Sequence, residues 1–91
     1  MFHIIYFSAP WCSKCKITGP NVKSVSSYFN ITLQEVDCDD EKDEYLIKKY
    51  DVMSLPTIIL LEEGRVVFKT EGLKSLESLL QDLDPIINKI N

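Results

Sequence analysis

Residues 8–16 read "SAPWCSKCK", and the interpretation of this stretch decides that of the whole chain. It follows "MFHIIYF" (1–7), a short apolar and aromatic run of the kind that forms a buried strand. Two cysteines, Cys12 and Cys15, therefore sit one helical turn apart just past the end of a strand. Such a pair can grip a metal, staple a small fold or carry out redox chemistry, and the rest of the chain must discriminate among the three.

Ninety-one residues suit one domain, taken as 1–91, with a single modest core that needs no internal staple. The 45% hydrophobic and 26% charged content is ordinary for a soluble globular protein. No apolar run reaches the roughly 20 residues that span a bilayer. The N-terminus lacks a basic region followed by a long apolar segment, so the expected location is the cytoplasm. There, paired cysteines more often bind metal or catalyse than form lasting structural bridges. The net charge is −4, and the densest charge cluster, "DCDDEKDE" (37–44), is acidic. This balance argues against a nucleic-acid stripe or an anionic-membrane anchor; the acidic run reads as a solvated loop and helix start.

Along the chain, Cys15, Val22, Val25 and Phe29 recur on one helical face, with Pro20 expected to kink that helix. "ITLQEVDC" (31–38) reads as a second strand. "DDEKDEYLIKKY" (39–50) reads as a helix, its acids in the first turn and Lys48 and Lys49 in the last. "TIILL" (57–61) and "VVFKT" (66–70) flank "EEGR", a hairpin with Gly64 in its turn. A final helix from Ser75 places Leu76, Leu79, Leu80, Leu83, Ile87 and Ile90 on one face. Pro85 is expected to break it, with Asp84 capping a short last turn. The order is βαβ-α-ββα, an α/β chain whose four-stranded mixed sheet carries helices on both faces.

At a helix start, free N–H groups and the positive end of the dipole favour an anion on Cys12. Lys14 and Lys16 add positive charge. Cys12 is thus expected to be the exposed attacking sulfur and Cys15 the buried resolving one. Zinc would need Cys12, Cys15, Cys38 and His3 together. His3 stands about 20 Å from the motif along its strand, so no metal is expected. His3 reads as a strand residue, and Cys38 as a small packed hydrophobe or, less simply, a regulatory thiol.

"APWCSKCK", Pro20, "VDCDD" (36–40), "LPT" (55–57) and Gly72 together resemble the thioredoxin family over nearly the whole chain. The chain looks like a shortened member, close in length and topology to a glutaredoxin. The resemblance implies a thioredoxin fold and a thiol–disulfide oxidoreductase that reduces or exchanges protein disulfides. It would serve electron transport and cell redox homeostasis through a redox-active Cys12–Cys15 disulfide, with no bound cofactor. Trp11 is then placed on the rim beside the nucleophile, with Asp39 accepting from its indole. Leu55–Pro56 becomes a cis step whose backbone pairs with a client strand, and Gly72 lets that client approach. The implied partners are disulfide-bearing client proteins and a recharging reductase of the thioredoxin-reductase type, with the chain acting as a monomer.

Three departures from the family pattern bear on chemistry. Ser13–Lys14 replaces the usual Gly-Pro, which suggests a less reducing couple, and Lys14 beside Cys12 pushes the same way. Tyr6 stands where the family has a buried aspartate. Glu35, on the neighbouring strand, is therefore expected to take over the proton of Cys15, with Tyr6 orienting it; a solvent-facing strand glutamate is the competing reading. Finally, Trp11 and Leu55 fit a glutaredoxin poorly, which leaves glutathione as the alternative partner. A docking module using Trp11, Leu55 and Gly72 without redox work is the alternative of a different class.

Overall fold

The structure, a computed structural model, describes residues 1–89. The assignment of Ile90 to the last helical face lies outside the described residues. Strand β1 (Phe2–Ser8) is central: it pairs in parallel with β2 (Thr32–Asp37) and antiparallel with β3 (Thr57–Glu62). β3 pairs antiparallel with the edge strand β4 (Arg65–Glu71), giving the order β2-β1-β3-β4. A central strand is covered on both faces, which explains why Ile4, Ile5, Tyr6 and Phe7 are all buried without alternation.

Alternation instead sorts these side chains between two cores. Ile4 and Tyr6 join Ile58 and Leu60 under helix α1 (Ser13–Phe29) and helix α3 (Leu76–Ile87), which contribute Val22, Val25, Leu79 and Leu83. Ile5 and Phe7 face the other way, with Val36, Ile59, Leu61 and Leu46 of helix α2 (Glu44–Lys49). The β3–β4 turn has Glu63 and Gly64 both at positive φ, 51° and 80°, the backbone that matches the right-handed twist of a two-residue hairpin.

Two expectations are corrected. The segment 39–50 is not one helix. A 3-10 turn at Glu41–Asp43, capped by the Asp40 carboxylate accepting from the Lys42 N–H, precedes the six residues of α2. The side-chain cap takes the backbone donor that a longer α-helix would have used. Pro85 does not break α3, and Asp84 does not start a separate turn. The helix runs on to Ile87, and the Asn88 N–H closes on the Asp84 carbonyl at 2.9 Å. Pro85 lies on the exposed face and has no N–H to donate to the Gln81 carbonyl, while Leu83, Ile86 and Ile87 hold the helix to the core. α1 likewise runs unbroken through the exposed Pro20. No helix among the described residues is long and apolar enough to cross a membrane.

Candidate active site

At the C-terminal end of β1 the chain turns through Ala9, Pro10 and Trp11, and the Cys12 N–H closes the turn on the Ala9 carbonyl at 3.1 Å. Cys12 is extended (φ −84°, ψ 107°) and serves as the N-cap of α1: its Sγ accepts the Cys15 N–H at 3.3 Å. A sulfur thus takes the position in which a serine or aspartate oxygen usually satisfies a free helix donor. Cys12 and Cys15 form a disulfide, their Cα atoms 5.3 Å apart.

The exposed-versus-buried contrast expected of the pair is not present: each residue is 6% exposed. With the bridge closed, the Cys12 sulfur folds back over the helix N-terminus instead of projecting outward. Lys14 and Lys16 are exposed on the same turn, and Trp11 is 69% exposed. The Trp11 indole Nε1 donates to Asp39 Oδ1 at 3.1 Å. That loop is itself fixed, because the Asp39 N–H donates to Asp37 Oδ1 and the Cys38 N–H to the Ser8 carbonyl.

Opposite the motif, the Leu55–Pro56 peptide is cis, Leu55 is half-buried and Pro56 is buried. The Gly72 N–H donates to the Pro56 carbonyl at 2.9 Å, and Gly72 sits at φ +90°, where a side chain would be strained. Beyond its chain neighbours, a methyl group there would meet no atom of the described residues within 4 Å, so that side of Gly72 is open.

Behind Cys15 lies a cavity of about 400 Å³, whose lining includes Tyr6, Cys15, Lys16, Lys23, Glu35 and Asp37. Tyr6 and Glu35 are direct partners in the β1–β2 register. The exposed Glu35 pairs with Lys23 at 3.8 Å. The expected Tyr6–Glu35 orienting contact is replaced by another: the Tyr6 hydroxyl donates to the Cys15 carbonyl at 3.0 Å. This carbonyl lies in the first turn of α1, within hydrogen-bond reach of the hydroxyl, whereas Glu35 is exposed.

Burial, and secondarily the charge of Glu35, push the Tyr6 phenol up to about 12. The folded state therefore retains a proton that the unfolded chain releases near pH 10, so the stability this group contributes is present below pH 10 and lost as pH rises toward 12. An ultraviolet titration should show one phenol ionising near pH 12, and Tyr6→Phe should remove that step. A wild-type curve complete by about pH 10.5 would contradict this environment.

Cys38 is half-buried against the core on the α2 side. Burial raises its thiol pKa, with Asp37, Asp39 and Asp43 adding to the effect. In the reduced protein at pH 7, iodoacetamide should label Cys38 more slowly than an unstructured cysteine and faster as pH rises, followed by mass spectrometry. Labelling at the rate of a free thiol would exclude that protected setting. His3, the second residue of β1, lies at the end away from Cys12, its Nε2 buried without a hydrogen-bond partner among the described residues. Among the described residues no group of three or more His, Cys, Asp or Glu could hold a metal ion.

Comparison with known proteins decides the family. The thioredoxin family model matches residues 1–85. The chain is a thioredoxin-family protein. It is 34% identical to thioredoxin of Bacillus subtilis over 91% of this chain and 76% of that one. It also matches the bifunctional thioredoxin reductase/thioredoxin of Mycobacterium leprae, 28% identical over 97% of this chain but 19% of that protein. Thioredoxin-2 of the malaria parasite, described as a component of its protein secretion machinery, superposes with a TM-score of 0.82 at 30% identity, covering 92% and 82% of the two chains. With the Cys12–Cys15 bridge in place, this thioredoxin-family chain is a thiol–disulfide oxidoreductase whose redox group is its own cysteine pair.

The thioredoxin motif does not reveal everything that shapes the site. Thr18 is fully buried and accepts the Lys74 N–H, while Asn21 Nδ2 donates to the Lys74 carbonyl, so α1 holds the chain just beyond Gly72. The three-residue step from Cys15 to Thr18 was a visible signal that both share a face. The far partner, 56 residues away, was not.

Proposed function

We propose that this thioredoxin-family protein reduces disulfides of client proteins, with Cys12 as nucleophile and Cys15 as resolving thiol. The observation that carries the reading is the helix N-cap built by the Cys12 sulfur, where the Cys15 N–H is aimed at the atom that must bear negative charge. The Cys12 thiolate attacks one client sulfur, the client S–S bond breaks, and the departing client thiolate takes a proton. Cys15 then gives up its proton and attacks the Cys12 sulfur, expelling the second client thiolate. Two electrons have passed to the client, which leaves as a dithiol, and the Cys12–Cys15 disulfide remains. Leu55 offers backbone to an extended client strand, Gly72 leaves room for it, and Trp11, held by Asp39, borders the approach.

A reductase of the thioredoxin-reductase type returns the two electrons. The relative in which reductase and thioredoxin share one chain supports this coupling. A free, half-buried Cys38 thiol suits a reducing compartment, the cytoplasm, where the chain works as a monomer in electron transport and redox homeostasis. Equilibration against glutathione tests the assignment. Exposed Lys14 beside Cys12 favours the reduced form, so the potential should fall between about −270 and −220 mV. A value above about −220 mV would transfer the protein to glutathione coupling. The absence of a reversible two-electron couple would leave only a docking module.

Glu35 is the proton acceptor for Cys15 in this scheme. It lines the cavity that Cys15 also lines, exposed and 3.8 Å from the Lys23 ammonium. Glu35→Gln should slow release of the client mixed disulfide about ten- to a hundredfold and leave the first attack unchanged. Rapid-quench trapping of the adduct separates the two steps, and an unaltered release rate would remove Glu35 from the mechanism.

A further inference from the structure

The segment that delivers Leu55 has no regular structure, running from Tyr50 at the end of α2 to Pro56 before β3. Its neighbour across the sheet face is β4. Lys69 and Glu71 of β4 pair with Ile59 and Thr57 of β3 and so share the sheet face that α2 covers.

Both side chains reach the segment. Lys69 Nζ donates to the Tyr50 carbonyl at 3.0 Å and to the Asp51 carbonyl at 2.7 Å. Glu71 Oε2 accepts from the Ser54 hydroxyl at 2.9 Å. Asp51, at φ +51°, is the left-handed residue that closes α2: its N–H donates to the Lys48 carbonyl and the Val52 N–H to the Ile47 carbonyl. The Lys69 ammonium joins the Tyr50 and Asp51 carbonyls at this cap. It also sits at the C-terminal end of a helix, where a cation is favourable and the last carbonyls lack helical partners.

We propose that Lys69 and Glu71 are positioning residues for client reduction: acting through the Tyr50 and Asp51 carbonyls and the Ser54 hydroxyl, they clasp the segment so that Leu55 is held ready for an incoming disulfide-bearing strand. The proposal rests on the client-strand role given to Leu55 above. Neither residue touches the sulfurs, so the clasp acts on recognition of an extended client and not on the exchange chemistry. Ordering the segment before the client arrives removes a cost that would otherwise be met on binding.

The test uses the reduced protein mixed with excess insulin, whose disulfides are set in polypeptide, or with hydroxyethyl disulfide, which has no backbone to pair. Trp11 fluorescence, beside the reacting sulfurs, reports the oxidation. Lys69→Met should raise the half-saturating insulin concentration about two- to fivefold. The limiting rate, the hydroxyethyl disulfide rate and the reduction potential should stay at wild-type values. Lys69→Arg, with several donors for the same two carbonyls, should restore saturation. Glu71→Gln and Ser54→Ala should each show a smaller shift, and the double variant should be no worse than either alone, as expected for two ends of one bond. These two variants keep the test decisive if Lys69→Met fails to fold. Equal losses toward both disulfides, or unchanged insulin saturation in every variant, would overturn the clasp alone. A wild-type protein that reduces hydroxyethyl disulfide but never saturates with insulin would remove the client-strand reading, and the clasp with it.

Discussion

Cys15→Ser should turn the catalyst into a trap. Cys12 still attacks a client disulfide, but no second thiol remains to release the adduct, so a mixed disulfide accumulates at one client per chain. Turnover should fall by about a thousandfold or more, because a serine hydroxyl does not supply the sulfur nucleophile on which exchange depends. The adduct should appear as a mass increase that dithiothreitol reverses. Cys12→Ser should lose turnover to the same extent and form no adduct at all, since the remaining Cys15 follows the capped position in the first turn of α1. If Cys15→Ser retained more than about a tenth of wild-type turnover in the presence of glutathione, an external thiol would be replacing Cys15, and the glutathione-coupled mechanism would take precedence.

The largest effect on stability should come from Phe7→Ala. Phe7 is fully buried, lies in the core on the α2 side with Ile5, Val36, Leu46, Ile59 and Leu61, and meets the Tyr50 ring edge-on at 6.3 Å between centroids. Removing an aromatic side chain from such a site costs about 3–5 kcal/mol. Domains of this kind are stable by only about 5–15 kcal/mol, so much of the folded state's margin would be lost. The melting temperature should fall by roughly 15–30 °C, measured by circular dichroism, with urea unfolding reporting the same loss at an unchanged m-value. A loss below about 1 kcal/mol would mean that the surrounding side chains close the cavity. Because Tyr50 begins the segment leading to Leu55, Phe7→Ala should also weaken insulin saturation in the protein that remains folded.

Much of this architecture could be read from local patterns. The apolar run 2–8, the helical recurrence after Cys15 and the turn residues around Gly64 each name an element, because strand and helix periodicities and positive-φ turns are local properties of the chain. The cysteine spacing together with Pro20, "VDCDD" and "LPT" pointed to the family, which the match over residues 1–85 established. At Pro85 and in the 39–50 segment, side-chain contacts outweigh the helix propensity of the residues themselves. Leu83, Ile86 and Ile87 hold α3 through its proline, and the Asp40 side chain diverts the start of the α2 region into a tighter turn.

Two features of the site lay beyond any local reading. The Tyr6 hydroxyl meets the Cys15 carbonyl across a strand–helix interface, and Lys69 meets carbonyls 18 and 19 residues earlier in the chain. Each of these contacts joins a side chain to a main-chain group, and main-chain groups are the same at every position, so no residue type marks the partner in advance. Which backbone oxygen a tyrosine or a lysine reaches is settled only when the sheet register and helix packing bring distant segments together.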